Sequence, residues 1–190
     1  MIEPIDLGIC GGYRYQPDAE RVAVVLPGRL LAGTPSLSIA IAALLDRGWG
    51  VVQVWDQYLD PSLDPTVWVR ERAQAALEVV GGRGRLLVAK SLSTRAAALA
   101  AERALPAVWV TPLLDDPESI EGLRARTAPN LLIGGTVDAA WNGELARALS
   151  DDVLELPGTD HGLGGSAGIS SLLENLGLVA AAVGRFADRV

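Results

Sequence analysis

Short segments of continuously apolar residues alternate with helix-length segments along most of this 190-residue chain. The predicted strands are Val22–Leu26, Val51–Trp55, Arg85–Ala89, Ala107–Thr111, Asn130–Ile133 and Val153–Leu156. Because these runs are apolar at nearly every position, we expect each strand to be buried on both faces. The pattern therefore predicts an α/β fold, a three-layer α/β/α sandwich around a mostly parallel sheet of about six or seven strands.

Turn and capping residues mark the ends of the helix-length segments. Asp64-Pro65 opens a helix that ends near Val80, before Gly81-Gly82. The other predicted helices run from Thr34 or Ser36 to about Arg47, and over Ser91–Leu105, Glu118–Arg126, Ala139–Leu149 and Ser170–Val190. In the first twenty residues, Ile5–Ile9 and Tyr13–Gln16 are compatible with an antiparallel hairpin around Gly11-Gly12. We find no interdomain linker, so residues 1–190 are expected to form a single domain.

Charge and cysteine content limit the classes of partner and site. A net charge of −7 disfavours nucleic acid and anionic membrane surfaces, which are bound mainly by clustered Lys and Arg. The single cysteine, Cys10, excludes an internal disulfide, and together with a single histidine it argues against a metal cluster. The chain lacks an apolar run of about 18 residues and a signal-peptide core, so we expect a soluble, cytoplasmic protein. Its oligomeric state is not indicated.

Three residues with nucleophile or acid–base chemistry follow predicted strands, in the order Ser91, Asp138, His161. Right-handed crossovers bring the carboxyl ends of parallel strands to one edge of the sheet, where ligands bind. In a triad of this order, the serine attacks, the imidazole takes its proton and the carboxylate orients the imidazole. His161 is the only histidine, so it is the base if this chain is a hydrolase.

Ser91 lies between a predicted strand and a predicted helix, in the segment Ala89-Lys90-Ser91-Leu92-Ser93. A nucleophilic serine in a sharp strand-to-helix turn needs small residues two positions before and after it, usually glycine. Ala89 and Ser93 are small, although neither is glycine. A second interpretation is that Ser91 only caps the following helix, and the segment alone leaves both open.

The segment Gly84–Ser91 also approximates a phosphate-binding loop whose second glycine is replaced by Ala89. In such a loop the residues between the glycines cradle phosphate with their N–H groups, and the strand precedes the first glycine. Here those residues form the predicted strand itself, so their N–H groups belong to the sheet. Nucleotide binding is therefore disfavoured.

Asp138 follows a buried strand and is positioned to accept the Nδ1 proton of His161. Two alternatives remain open: Asp138 only caps the next helix, or Asp115, after the preceding strand, is the acid. Two backbone N–H groups are needed for a developing oxyanion. Leu92, after the serine, supplies one, and Arg29, beside Gly28 in the loop after the first apolar strand, supplies the other.

These segments together resemble those of small bacterial α/β-hydrolases of the compact, lidless serine-hydrolase kind, from Val22 to the final helix. The resemblance rests on four segments: Leu26-Pro-Gly-Arg29, Ala89-Lys-Ser-Leu-Ser93, Gly134-Gly-Thr-Val-Asp138 and Gly158-Thr-Asp-His161. It implies the α/β-hydrolase fold, and it implies Ser91 as nucleophile, Asp138 as acid and His161 as base. No metal or organic cofactor is implied.

The chain between Thr111 and Asn130 has room for one short helix only, so we expect no cap domain and an open, shallow site. Such a site favours a small or protruding ester, thioester or related acyl substrate. Gly28, Trp55, Trp141 and Leu163 are the candidate substrate-binding residues. The sequence thus predicts a serine hydrolase that works through an acyl-enzyme; the alternative is a non-catalytic binding module of the same fold.

Overall fold

The computed structural model describes all 190 residues and contains one sheet of eight strands. In chain order the strands are β1 (Ile2–Asp6), β2 (Gly11–Tyr15), β3 (Val22–Leu26), β4 (Gly50–Trp55), β5 (Gly84–Lys90), β6 (Ala107–Val110), β7 (Asn130–Gly135) and β8 (Asp152–Leu156). Their order in the sheet is β1-β2-β4-β3-β5-β6-β7-β8. Strands β3 to β8 are parallel, whereas the β1–β2 hairpin pairs antiparallel with β4.

Helices cover both faces of this sheet. They are α1 (Pro35–Leu45), α2 (Pro65–Val80), α3 (Ala97–Glu102), α4 (Pro117–Arg124), α5 (Gly143–Leu149) and α6 (Ile169–Ala187), with short 3₁₀ helices at Gly81–Arg83 and Ser91–Ala96. Helices α1 and α6 pack on one face, and α2 to α5 on the other. The predicted three-layer sandwich with a mostly parallel sheet is confirmed, but the sheet has eight strands in place of six or seven.

The amino-terminal hairpin differs from the prediction in its position along the chain. Gly11 and Gly12 lie within β2, and the turn spans residues 7–10. A Cβ atom on Gly12 would lie 2.5 Å from the carbonyl oxygen of Gln53 on β4. The glycine therefore permits the close approach of two strands and does not form the turn.

The segments after β5 and β7 also differ from the predicted helices. After β5 the chain first forms the 3₁₀ helix Ser91–Ala96, and α3 is shorter than predicted. After β7, α5 begins at Gly143 because Asn142 caps it, with its Oδ1 accepting the N–H of Leu145 at 2.9 Å. Residues 136–142 are thus free to form the loop that carries Asp138.

Two apolar clusters, one on each face, hold the helices to the sheet. Their largest fully buried side chains include Trp109 on the α2–α5 face, and Trp49 and Phe186 on the α1–α6 face. Burying a side chain such as Val, Leu or Phe contributes about 1.5–3 kcal/mol. This packing holds the parallel strands in position, so the loops at their carboxyl ends start from fixed points.

Helix α6 is the one helix whose length and composition would allow it to cross a membrane, with a mean hydropathy of 1.2. Its carboxyl-terminal half packs against α1 and the sheet, where Val179, Val183 and Phe186 are buried. Ile169 and Leu173, in its amino-terminal half, are exposed.

The loop after β8 is docked against the end of β7. The N–H of Val137 donates to the carbonyl of Thr159 at 3.1 Å, and the N–H of Gly158 donates to Thr136 Oγ1 at 2.8 Å. A Cβ atom on Gly135 would lie 2.1 Å from the Thr159 carbonyl oxygen. Glycine at position 135 is therefore what allows the two loops to meet.

We predict that Gly135→Ala lowers the free energy of unfolding by about 1–3 kcal/mol, the usual range for forcing atoms into a packed contact. Urea denaturation of the variant and of the wild type measures the change. Gly177→Ala is the matched control, because a Cβ there meets no atom within 4 Å and alanine favours a helix interior. A Gly135→Ala variant as stable as the wild type would contradict this account of the two loops.

Candidate active site

Ser91 follows β5 directly and is the first residue of the 3₁₀ helix, at a sharp turn of the chain. Its φ angle is +51°, in the left-handed region that residues other than glycine rarely adopt. Such a conformation costs on the order of 1–3 kcal/mol and clusters at functional sites. Ser91 does not cap the helix, since its Oγ bonds to His161 and Lys90 stands at the N-cap position.

The two residues that replace the usual glycines fit this turn. Ala89 is 1% exposed and pairs with Leu26 of β3. Ser93 is also 1% exposed, and its hydroxyl donates to the carbonyl of Pro27 at 2.5 Å. The serine thus adds a link between the turn and the loop after β3, a link that glycine would not supply.

A continuous hydrogen-bond chain joins Ser91, His161 and Asp138. His161 Nε2 lies 2.8 Å from Ser91 Oγ, and His161 Nδ1 lies 2.7 Å from Asp138 Oδ2. With the carboxylate accepting the Nδ1 proton, Nε2 is free to accept the serine proton. The sequence placed these residues after three different strands, and the structure brings all three together.

The environment of Asp138 favours its charged form. Burial alone would raise the pKa of this carboxyl, but the hydrogen bonds from His161 and from the N–H of Ala140, with the charges of His161 and Lys90, hold the pKa below its ordinary value. Its side chain is 4% exposed, against 41% for His161. A charged acceptor under a half-exposed imidazole is the arrangement that stabilises an imidazolium.

Asp115, the alternative acid, and two other aspartates in the neighbouring loops do not bond to His161. Asp115 is exposed and forms no side-chain hydrogen bond. Asp116 caps α4 and pairs with Arg95 at 2.6 Å. Asp160 accepts the N–H groups of Gly162 and Gly164, so it shapes the turn of the histidine loop.

Leu163 anchors the histidine loop. It is fully buried in the α1–α6 cluster, and its carbonyl accepts a hydrogen bond from Asn175 of α6 at 3.0 Å. The substrate-binding role expected for Leu163 is wrong, because its side chain has no exposed surface. Asn175, a partly buried residue of α6, was missed and also donates to Thr159 Oγ1.

The loop after β3 lies beside the serine. A Cβ atom on Gly28 would be 3.7 Å from Ser91 Cβ, so the main chain of this loop passes close to the serine. The N–H of Arg29 has no partner within the chain, and Leu92 lies in the first turn of the 3₁₀ helix, where N–H groups lack intrahelical acceptors. Both groups are therefore available to an oxygen atom at the site.

The two tryptophans pack on neighbouring segments of the fold. Trp55 packs edge-to-face on Tyr13, its ring covers Gly33, and it lines a groove of about 410 Å³ beside α1. Trp141 covers Gly134, and its Nε1 donates to Glu155 at 2.8 Å. A substrate-binding role for Trp55 and Trp141 stays a prediction.

The surroundings of the three residues are open. The loop between β6 and β7 holds only α4, as the short spacing in the sequence predicted. A cavity of about 690 Å³ lies at the opposite edge of the sheet, at the starts of β7 and β8. No group of three or more His, Cys, Asp or Glu side chains is arranged to hold a metal ion.

No protein-family model matches this chain, and no curated protein matches it by sequence. Its structure is similar to the esterase domain of a Rhodothermus marinus protein, with a TM-score of 0.73 and 15% identity over 100% of this chain and 99% of that one. For Est1E from Butyrivibrio proteoclasticus the TM-score is 0.73 and the identity 13%, over 97% of this chain and 96% of that one. For a dienelactone hydrolase from Anabaena variabilis the TM-score is 0.67 and the identity 16%, over 95% of this chain and 94% of that one.

We predict that Ser93→Ala lowers the free energy of unfolding by about 1 kcal/mol, because the Pro27 carbonyl loses its buried donor. Thermal or urea denaturation measures the change. Ser62→Ala removes a hydroxyl that bonds only to Asp60 on the exposed surface and is the control, expected to stay within about 0.5 kcal/mol of the wild type. Equal effects of the two substitutions would mean that the Ser93 bond does not hold the loop.

Proposed function

We propose that this chain, which has the α/β-hydrolase fold, is a serine hydrolase that cleaves a small ester, thioester or related acyl compound. The observation that carries the proposal is the hydrogen-bond chain from Ser91 through His161 to Asp138, with the serine held at a positive φ angle. The similar structures named as esterases and as a dienelactone hydrolase support hydrolysis as the reaction class.

In the first half of the proposed reaction, Ser91 Oγ attacks the carbonyl carbon while His161 Nε2 takes the hydroxyl proton. Asp138 stabilises the imidazolium, and the N–H groups of Leu92 and Arg29 bind the oxyanion. The intermediate collapses, the imidazolium gives its proton to the leaving group, and an acyl-enzyme remains on Ser91. Water then attacks with the same base, which releases the acid and restores the serine.

The alternative, a non-catalytic binding module of this fold, does not require a serine within reach of a base. The 2.8 Å separation between Ser91 Oγ and His161 Nε2 therefore favours the hydrolase. Nucleotide binding by Gly84–Ser91 is disfavoured further, because Gly84–Lys90 is strand β5 and its N–H groups belong to the sheet.

The open surroundings favour a substrate that protrudes into the site over one that must be enclosed. Exposed apolar side chains stand in two of the loops that carry the site. Leu30, 56% exposed, stands two residues from Gly28, and Val137, 63% exposed, is next to Asp138. These positions suit contact with the apolar part of an acyl or leaving group.

We predict that a fluorophosphonate probe labels the wild-type protein and that Ser91→Ala abolishes the labelling. His161→Ala is expected to reduce the rate of labelling, and of hydrolysis of a short aryl ester, by at least about 10³-fold, because no other imidazole can take the proton. In-gel fluorescence and a panel of aryl esters and thioesters give the two measurements.

Ser171→Ala, outside the proposed triad, is the control and should be labelled at the wild-type rate. Labelling that persists in Ser91→Ala would remove Ser91 from the role of nucleophile. A wild type that is neither labelled nor active on any ester or thioester would favour the binding module.

We also predict that Leu30→Asp raises KM for an aryl butyrate about fivefold, which corresponds to about 1 kcal/mol of lost apolar contact, and changes kcat less. Ile2→Asp, 64% exposed on β1, is the matched control and should leave KM unchanged. If Leu30→Asp and Val137→Asp both keep the wild-type KM, these two side chains do not contact the substrate.

A further inference from the structure

The only lysine of this chain, Lys90, is buried directly before Ser91. The chain has sixteen Lys and Arg residues, and Lys90 is 6% exposed. It ends β5 on the face that carries Leu86 and Val88, below the loops that surround the serine. The mechanism proposed above does not use this side chain.

The Lys90 ammonium is held by neutral oxygen atoms. Nζ donates to Thr111 Oγ1 at 2.6 Å and to the backbone carbonyl of His161 at 3.0 Å. It forms no ion pair within 4 Å. The charged groups that face it are Asp138, in the loop after β7, and Asp160, in the loop after β8, and His161 is the other titratable neighbour. One cation therefore links β5, the end of β6 and the histidine loop.

Thr111 provides a second, independent observation. This residue is fully buried at the end of β6 and has a φ angle of +44°. A β-branched residue rarely adopts this left-handed backbone conformation, and it does so only where the surrounding structure holds it there. The strained backbone places the Thr111 hydroxyl against Lys90, opposite the His161 carbonyl.

Burying an ammonium without a contacting carboxylate is unfavourable. Burial lowers the pKa of Lys90 to about 8, while Asp138 and Asp160 act in the opposite direction. A methionine would fill a similar volume without this penalty. The arrangement therefore calls for a role that a neutral side chain cannot fill.

We propose that Lys90 is a positioning residue whose ammonium fixes the main chain of His161, and so keeps the imidazole within hydrogen-bond distance of Ser91. The expected effect on the reaction rate rests on the proposed hydrolase function, whereas the expected effect on the position of His161 does not. Hydrogen bonds from a charged donor are about twice as strong as neutral ones, so the hold weakens when the amine loses its proton.

The test compares wild type, Lys90→Met and a control, Arg85→Met, which removes an exposed cation at the other end of the same strand. Lys90→Met is expected to lower the rate of fluorophosphonate labelling, and kcat for an aryl ester, by about 10- to 100-fold with little change in KM. In wild type and in Arg85→Met both rates should fall above about pH 8. In Lys90→Met this fall should be absent.

The single histidine allows a measurement that needs no activity. Its imidazole Cε1–H gives one NMR signal, whose chemical shift should respond to the deprotonation of Lys90 with an inflection near pH 8 in wild type. This inflection should be absent in Lys90→Met. If nothing is labelled or hydrolysed but this inflection behaves as expected, the hydrolase proposal fails and the positioning role stands. Wild-type rates and an unchanged pH profile in Lys90→Met would overturn the role.

Thr111→Val and Thr111→Ser keep the proposal testable if Lys90→Met does not fold. Valine removes a hydrogen-bond acceptor from the ammonium, which makes the charged form less favourable. The break in the pH profile, the pH above which the rates fall, should therefore move to lower pH in Thr111→Val and stay in place in Thr111→Ser. A wild-type profile without a break near pH 8, or a break that Thr111→Val does not move, would overturn the proposal.

Discussion

The parallel hydrogen-bond ladder from β3 to β8 is the constraint on which the site depends. It holds the carboxyl ends of β5, β7 and β8 at one edge, and those three strands carry the loops of Ser91, Asp138 and His161. Adjacent strands lie about 4.8 Å apart, so β5 and β8 are separated by roughly 14 Å. Short loops can close that distance, and they need only a few hydrogen bonds to become rigid. The hydrogen bond from Val137 to the carbonyl of Thr159, which Gly135 makes room for, supplies part of that rigidity.

The residues beside Ser91 show how one turn organises the other loops. Ser93 holds the loop after β3 through the Pro27 carbonyl, and Lys90 bonds to the histidine loop through the His161 carbonyl. The turn over Lys90–Ser93 therefore supports both the groups proposed to bind the oxyanion and the group proposed to move the proton. Where a glycine at position 93 would only permit close packing, the serine also adds a bond.

The sequence predicts helices and strands well where the hydrophobic periodicity and the capping residues indicate the same ends. It predicts them less well where tertiary contacts determine the ends. Helix α2 has the predicted bounds, because Asp64-Pro65 and Gly81 are strong local signals. The helix after β7 starts later than predicted, since the Asp138 loop is held by bonds to distant residues. Leu163 was misjudged for the same reason: only the tertiary structure shows that its side chain points into the core. The order of serine, aspartate and histidine along the chain could be seen directly.

The charges of Lys90 and Asp138 stabilise each other, although the two side chains form no ion pair. Lys90 helps to hold the pKa of Asp138 down, and Asp138 opposes the fall in the pKa of Lys90, so each makes the burial of the other less unfavourable. Only Asp138 contacts the imidazole, whereas the Lys90 ammonium contacts the main chain of His161. The direct bond from Asp138 therefore stabilises the imidazolium when the proposed proton transfer forms it, while the ammonium is proposed to hold the main chain that carries the ring.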